Sequence, residues 1–331
     1  MVLDGESLLL APRADELIAA SEGAGLPGTL KSELFASALE LNTNVCGSPD
    51  EAAEALAELR RGAAALAAER GLEVAAAGTH PISRPEDQEI ADEPRYEEFV
   101  AYAGVSARRQ GVSGLHVHVG MESPDACFHA LEGVLPWLPV VLALSVNSPY
   151  LAGEETGLMS NRAEVLAQLP RSGSPPAVRS YAEWEAFVER FERLGMAAEY
   201  TRFWWDVRPH PRFGTLEIRM PDQPTALERT TALVQVLVEL CRAVLDEPER
   251  AYDPSGRSLY QQNRWAAARF GLAAELFHPD GERTAKAREL AAELPGETMD
   301  LLTTEAERQL EVGRSRGLEA VCADLVDRTL G

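Results

Sequence analysis

His116 and His118 stand two residues apart in the segment Gly114-Leu-His-Val-His-Val-Gly120. Successive strand residues face opposite sides, so both imidazoles project one way while Leu115, Val117 and Val119 take the other. Two imidazoles on one face suit a metal, a phosphate or a substrate; equally, they suit a hydrogen-bonded polar face. Thr215-Leu-Glu-Ile-Arg-Met220 repeats the pattern, with Glu217 and Arg219 opposite Leu216, Ile218 and Met220. Asp206 and Arg208 stand opposite Trp205 and Val207 in the same way. If these strands pair, charges of both signs line one sheet surface, either as a cross-strand salt-bridge ladder or as a site. Glu33 and Glu40 lie seven residues apart, a spacing that fits one helix face, whereas Leu39 and Leu41 alternate with Glu40 and Asn42 as in a strand. Arg162 and Arg171 lie in predicted loops where they could grip an anion, and His80 closes a predicted strand. His129 and His278 have no chemical neighbours in sequence and read as structural or surface residues.

Several acids, histidines and arginines on what could be one sheet suit phosphoryl transfer, where positioning and charge neutralisation supply most of the catalysis. Carboxylates bind Mg²⁺, and arginines hold phosphate or carboxylate bidentately. Walker A, G-x-G-x-x-G and G-x-S-x-G segments are absent, which argues against P-loop, dinucleotide-binding and nucleophile-elbow chemistry.

The elements that must position these residues are mixed. Ser48-Pro49-Asp50-Glu51 is a helix start with a cap, a first-turn proline and two acids; the alanine-rich run to Arg70 continues it and Gly71 stops it. Leu72–Ala77 reads as a strand, and residues 181–195, 225–246 and 303–328 show helical apolar spacing. Trp205–Arg208 and Thr215–Met220 read as a hairpin with a long turn over Pro209–Gly214. The order shows no regular βαβ alternation, which predicts an α+β fold. Pro170–Ser180 is a loop, and no internal repeat divides the chain, so 1–331 is expected to be a single domain.

Of 331 residues, 45% are hydrophobic, enough for a sizeable core, and 31 Lys+Arg against 53 Asp+Glu give a net charge of −22. Such a surface repels phosphate backbones, so no nucleic-acid partner is expected. The four cysteines form no CxxC pair, which predicts a reducing, cytoplasmic location rather than a disulfide framework. Gly133–Gly153 is uncharged and long enough to span a bilayer, but prolines and Asn147 interrupt it. A buried core helix ending in a loop is expected there, with no membrane partner; a homo-oligomer is compatible with the sequence.

KSELFASALELNTNVC, AAAGTHP, GLHVHVG, ALSVNSPYLAG, SNR, LPRSG, FWWDVRPHPRFGTLEIRMPD and NRWAAARFGL together resemble the bacterial carboxylate–amine ligases of the putative glutamate–cysteine ligase 2 family, in family order over nearly the whole chain. The resemblance implies a glutamine-synthetase-like fold: a curved, mainly antiparallel sheet holding ATP and Mg²⁺ on its concave face, with helices outside. The implied reaction is weak glutamate–cysteine ligation through an acyl phosphate, with glutamate and cysteine or another amine as substrates. By motif, Glu33, Glu40, His116 and Glu217 match the expected Mg²⁺ ligands, and Arg219 the arginine at the transferring phosphoryl group. Arg162 is carried over as a second catalytic arginine, and Arg208, Asp206 and His118 as substrate or cofactor contacts. Family members begin with a strand of the type G-(I/V)-E-x-E, which the opening MVLDGESLLLAP does not match. The chain therefore reads as lacking that acidic strand, through a late start codon or a true absence. A catalytically impaired nucleotide-binding relative and a metal hydrolase built on His116 and His118 are the alternatives.

Overall fold

Alternation of branched apolar and charged residues at Thr215–Ile218 produces the central strand of the largest sheet in the computed structural model, which describes residues Met1–Leu330. In chain order the strands are β1 (Val2–Asp4), β2 (Gly28–Ser32), β3 (Leu39–Thr43), β4 (Leu72–Val74), β5 (Val117–Gly120), β6 (Tyr150–Leu151), β7 (Glu154–Glu155), β8 (Val207–His210), β9 (Thr215–Ile218), β10 (Glu275–Phe277) and β11 (Thr284–Lys286). The helices are α1 (Ala14–Ser21), α2 (Pro49–Ala68), α3 (Pro94–Ala103), α4 (Val105–Arg108), α5 (Pro124–Val134), α6 (Leu138–Ser145), α7 (Asn161–Leu166), α8 (Tyr181–Arg193), α9 (Leu227–Asp246), α10 (Gly256–Phe270), α11 (Ala287–Ala291), α12 (Glu305–Arg316) and α13 (Leu318–Thr329).

Helix and strand are mixed without βαβ order, as the α+β reading requires. The single curved sheet is not seen. The described strands instead form five small antiparallel sheets: β1–β4, β2–β3, β6–β7, β10–β11 and the three-stranded β5–β9–β8. Isolated bridges add single pairings outside these strands, as at Thr79–Val112 and at Gly114–Asp222 just beyond the β5–β9 ladder.

Val117 of β5, Val207 of β8 and Leu216 and Ile218 of β9 enter the main core with Leu131 and Val134 of α5 and Leu233, Val236, Leu237 and Leu240 of α9. Each such aliphatic side chain contributes about 1.5–3 kcal/mol when fully buried. One face of the three-stranded sheet is thus fastened to α5 and α9, and the opposite face is left for charged residues. Ser48 caps α2 by accepting from the Glu51 amide, as expected.

Three sequence expectations shift. The hairpin strand runs over Val207–His210, so Pro209 lies inside it; β8 is an edge strand, where a missing N–H is tolerated. The stretch 303–328 is two helices, α12 and α13, broken at Gly317, whose φ of +88° suits glycine. The apolar stretch 133–153 becomes the end of α5, a short 3₁₀ turn and α6 before its loop. The joined helical run Pro124–Ser145 is long and apolar enough to cross a membrane, but 72% of its most apolar window is buried inside the protein.

Candidate active site

Register in the three-stranded sheet sets His118, Glu217 and Arg208 side by side, with His116 and Arg219 beyond one end of that row and Thr215 and His210 at the other. All of these but Thr215 line one cavity of about 710 Å³. The β2–β3 hairpin, packed on α2, closes another side and brings Lys31, Glu33, Glu40 and Asn42. The open question about Glu33 and Glu40 is settled for strand geometry: Glu40 lies in β3 opposite Lys31, and Glu33 follows β2 directly. Arg95 and Tyr96 of α3, and Arg202 and Trp204 ahead of β8, complete much of the lining.

Glu217 is the electrostatic centre of the sheet face. Its Oε2 accepts from Arg208 Nε at 2.7 Å and its Oε1 from Arg219 Nη1 at 2.5 Å. Burial alone would push this carboxyl up, but Arg219 and Arg208 hold it well below the usual carboxylate range. Arg208 also donates to the carbonyls of Thr201 and Phe203 at 2.8 Å, and burial lowers its guanidinium to about 10. Arg219 keeps Nε and Nη2 free of protein partners among the described residues, so it retains a donating edge. His116 and His118 expose about a third of their side chains to this cavity. For His116, burial first and then Arg219 hold the ring well below its ordinary value. Burial lowers His118 against the pull of Glu217, and its Nδ1 pairs with Thr215 Oγ1 at 2.9 Å. Both imidazoles are therefore neutral near pH 7.

Glu33 lines the same cavity with its side chain open to it. Burial raises its carboxyl and Glu40 adds to the rise, against the Leu34 amide, Arg219 and Arg95. Two carboxylates within reach of one another are what Mg²⁺ uses when it arrives on nucleotide phosphates, since it keeps most of its shell for water and phosphate. Glu33 and Glu40 fit that description. The expected fuller set does not: Glu217 spends its oxygens on two arginines, His116 stands 3.4 Å from Arg219 Nη1, and no three His, Cys, Asp or Glu residues converge in metal-holding geometry among the described residues. The same finding leaves the hydrolase built on His116 and His118 without a metal-holding group.

Asp206 departs from the expected surface. The backbone bends at Asp206 just before β8, which breaks the alternation; its carboxylate turns to α10, accepting from Tyr260 Oη at 2.7 Å and Arg264 Nε at 2.9 Å. Arg162 reaches the cavity wall, but its guanidinium donates to the carbonyls of Arg219 and Met220, both at 3.0 Å, and stands 3.8 Å from Asp222. Asp222 is fully buried and accepts from the Asn147 amide, Ser148 Oγ and Ser160 Oγ. Arg162 is therefore bonded to the backbone that carries Arg219. Arg171 lies over the rings of Tyr102, Phe191, Phe203 and Trp204 rather than in the cavity. His80 packs in a turn, accepting from the amides of Ile82 and Ser83 and pairing with the Leu8 carbonyl.

Sequence reasoning missed His210, Asp222, Arg95 and Arg202. Alternation carried two residues past Arg208 would have found His210. The others are brought in by loops and a separate helix that no local pattern places.

The profile of the glutamate-cysteine ligase family 2 (GCS2) matches residues 5–323. The chain belongs to that family. A family-2 relative described as putative glutamate–cysteine ligase 2-3, from Rubrobacter xylanophilus, is 40% identical over 319 residues, which cover 95% of this chain and 86% of the relative. Another, putative glutamate–cysteine ligase 2-1 of Frankia alni, is 40% identical over 281 residues, 84% of this chain and 72% of its own. Among solved structures, the fold is similar to that of a glutamate–cysteine ligase from Francisella tularensis in complex with AMP. The TM-score is 0.71 at 14% identity, covering 100% of this family-2 chain and 86% of that one. The family-2 chain thus shares the fold of that ligase.

Proposed function

We propose that this protein is an ATP-dependent carboxylate–amine ligase that joins the γ-carboxylate of glutamate to the amine of cysteine, or of a related amine, within one catalytic domain in the cytoplasm. The observation that carries the reading is one cavity holding two carboxyl groups that form no ion pair among the described residues, Glu33 and Glu40, together with a guanidinium edge on Arg219 and two neutral imidazoles. The family, and the AMP bound by the Francisella tularensis ligase, support a nucleotide as one occupant. Glu33 and Glu40 would hold Mg²⁺, which neutralises phosphate charge when bound.

In this reading a glutamate γ-carboxylate oxygen attacks the γ-phosphorus of ATP and the bond to ADP breaks, giving an acyl phosphate. The amine nitrogen then attacks the acyl carbon. Phosphate leaves with the former carboxylate oxygen, and the amine loses a proton, which His116 or His118 is free to accept. Arg219 stabilises charge on the transferring phosphoryl group, and Glu217 holds its guanidinium in place.

ADP release with glutamate, cysteine and Mg²⁺ tests this. Removing one preorganised donor at developing charge costs on the order of 10²–10³ in kcat. Arg219→Ala is expected to show that loss with little change in melting temperature, because Glu217 keeps Arg208, and EDTA is expected to stop turnover. An Arg219→Ala enzyme as fast as wild type, or turnover indifferent to EDTA, would return the sheet face to a structural ion-pair ladder.

A further inference from the structure

Side chains alternate through the segment 202–205 ahead of β8. Phe203 is extended and fully buried, and with Trp205 it joins the aromatic cluster formed with Trp184 and Val188 of α8. Arg202 and Trp204 take the other side, and both line the cavity. Trp204 is half-buried: its ring rests 5.3 Å from that of Phe99, on the apolar cluster that also holds Leu169. Leu166, half-buried at the end of α7, belongs to the same lining. The Arg202 guanidinium has no hydrogen-bond or ion-pair partner among the described residues.

This wall is held from behind. Arg171 stands at φ +60°, a left-handed conformation that a non-glycine residue keeps only where its surroundings fix it. Its guanidinium lies over Phe203 and Trp204, at 5.5 and 5.6 Å, and its Nε donates to the Arg202 carbonyl at 3.1 Å. The Asp206 carbonyl accepts from the Arg219 amide at 2.8 Å, so the segment leads directly from the wall to Arg219. Phosphate and glutamate are polar throughout and make no use of Trp204 or Leu166. A fixed apolar surface beside an unpaired guanidinium matches a ligand that carries an apolar side chain and a carboxylate.

We propose that the acceptor is an α-amino acid with an apolar side chain, which packs on Trp204 and Leu166 while its carboxylate pairs with Arg202. The proposal rests on the ligase reading above and names the class of the second substrate. The acceptor nitrogen forms its bond to the acyl carbon, phosphate departs, the proton passes to an imidazole, and a γ-glutamyl amino acid results.

The test runs the full chain with ATP, Mg²⁺ and glutamate against three amines: leucine, isopentylamine (leucine without its carboxylate) and cysteine. Amide products are followed by mass spectrometry. One methylene in an apolar pocket is worth roughly 10- to 200-fold in kcat/KM, so leucine is expected to exceed cysteine at least about tenfold. Trp204→Ala and Leu166→Ala are each expected to shrink that ratio several-fold. Loss of a charged hydrogen-bond donor is expected to make Arg202→Gln lower the ratio of leucine to isopentylamine about tenfold or more. Arg202 has no side-chain partner to lose, so its variant keeps the test decisive if truncating Trp204 costs the fold, which melting curves show. Leucine no better than cysteine overturns the seat, as does a leucine preference untouched by both truncations. Arg202→Gln acting equally on leucine and isopentylamine also overturns it, as do variants that move only the KM of ATP or of glutamate. Absence of glutamate-dependent ADP release with every amine overturns the ligase reading itself.

Discussion

Glu217 illustrates how a single carboxylate can organise a site without being free to react. Two guanidiniums outweigh its burial, so it stays ionised through the physiological range and fixes Arg219 at a defined place on the sheet. His80 shows the opposite case, a titratable group kept neutral for structure. Burial pushes it down to about 4 from 6.5, although the Leu8 carbonyl pulls the other way. Because the unfolded chain binds a proton that the folded chain refuses, this contribution is complete above pH 6.5 and is lost as pH falls toward 4. The loss is roughly 3 kcal/mol across that window. Denaturant unfolding of wild type and His80→Gln at several pH values checks it: the gap between them is expected to narrow as the medium is acidified from 6.5 to 4, and a constant gap would contradict the assignment. Strand alternation made the faces of His116, His118, Arg208, Glu217 and Arg219 legible in the sequence. It failed at Asp206 because one bend changes parity. It also could not show that Arg162 bonds to backbone, since its partners Arg219 and Met220 lie more than 55 residues away.

At the scale of elements, the short helix α7 matters more than its six residues suggest. Ser160 caps it by accepting from the Ala163 amide while donating to Asp222, so the cap and the buried acid are one network. Arg264 of α10 donates to the Ala163 carbonyl at 2.8 Å and to Asp206, which ties α7 to the start of β8. The Arg162 guanidinium fits only because Gly114 has no side chain: a Cβ there would stand 2.0 Å from Nη2 and 2.5 Å from Cζ. Two carbonyls and Asp222 prevent the guanidinium from yielding cheaply. Gly114→Ala is therefore expected to destabilise by about 1–3 kcal/mol, as overpacking does, and to lower kcat at least tenfold by displacing the strand end that carries Arg219. Melting and steady-state kinetics check both effects, and a variant with wild-type stability and rate would show that the pocket around Arg162 is loose. Helix starts such as Ser48 were readable because capping is local. The break at Gly317 was not, because apolar spacing continues across it and only the turn geometry demands the glycine.

The whole molecule carries a net charge of −22, yet its main cavity gathers Arg95, Arg162, Arg202, Arg208 and Arg219. Arginines gathered at one cavity of an acidic protein suit small anions such as phosphate or carboxylate. The sequence conveyed this chemistry and the mixed fold class. It did not convey that the expected curved sheet is divided into five small ones, because sheet continuity depends on loop paths that leave no periodic trace. If glutamate is activated as an acyl phosphate in this cavity, one γ-carboxylate oxygen must leave with the phosphate. With glutamate labelled by ¹⁸O in that carboxylate, together with ATP, Mg²⁺ and cysteine, the released phosphate is followed by mass spectrometry. One labelled oxygen in phosphate is expected for each amide bond formed. Unlabelled phosphate accompanying amide formation, or no glutamate-dependent turnover at all, would contradict it.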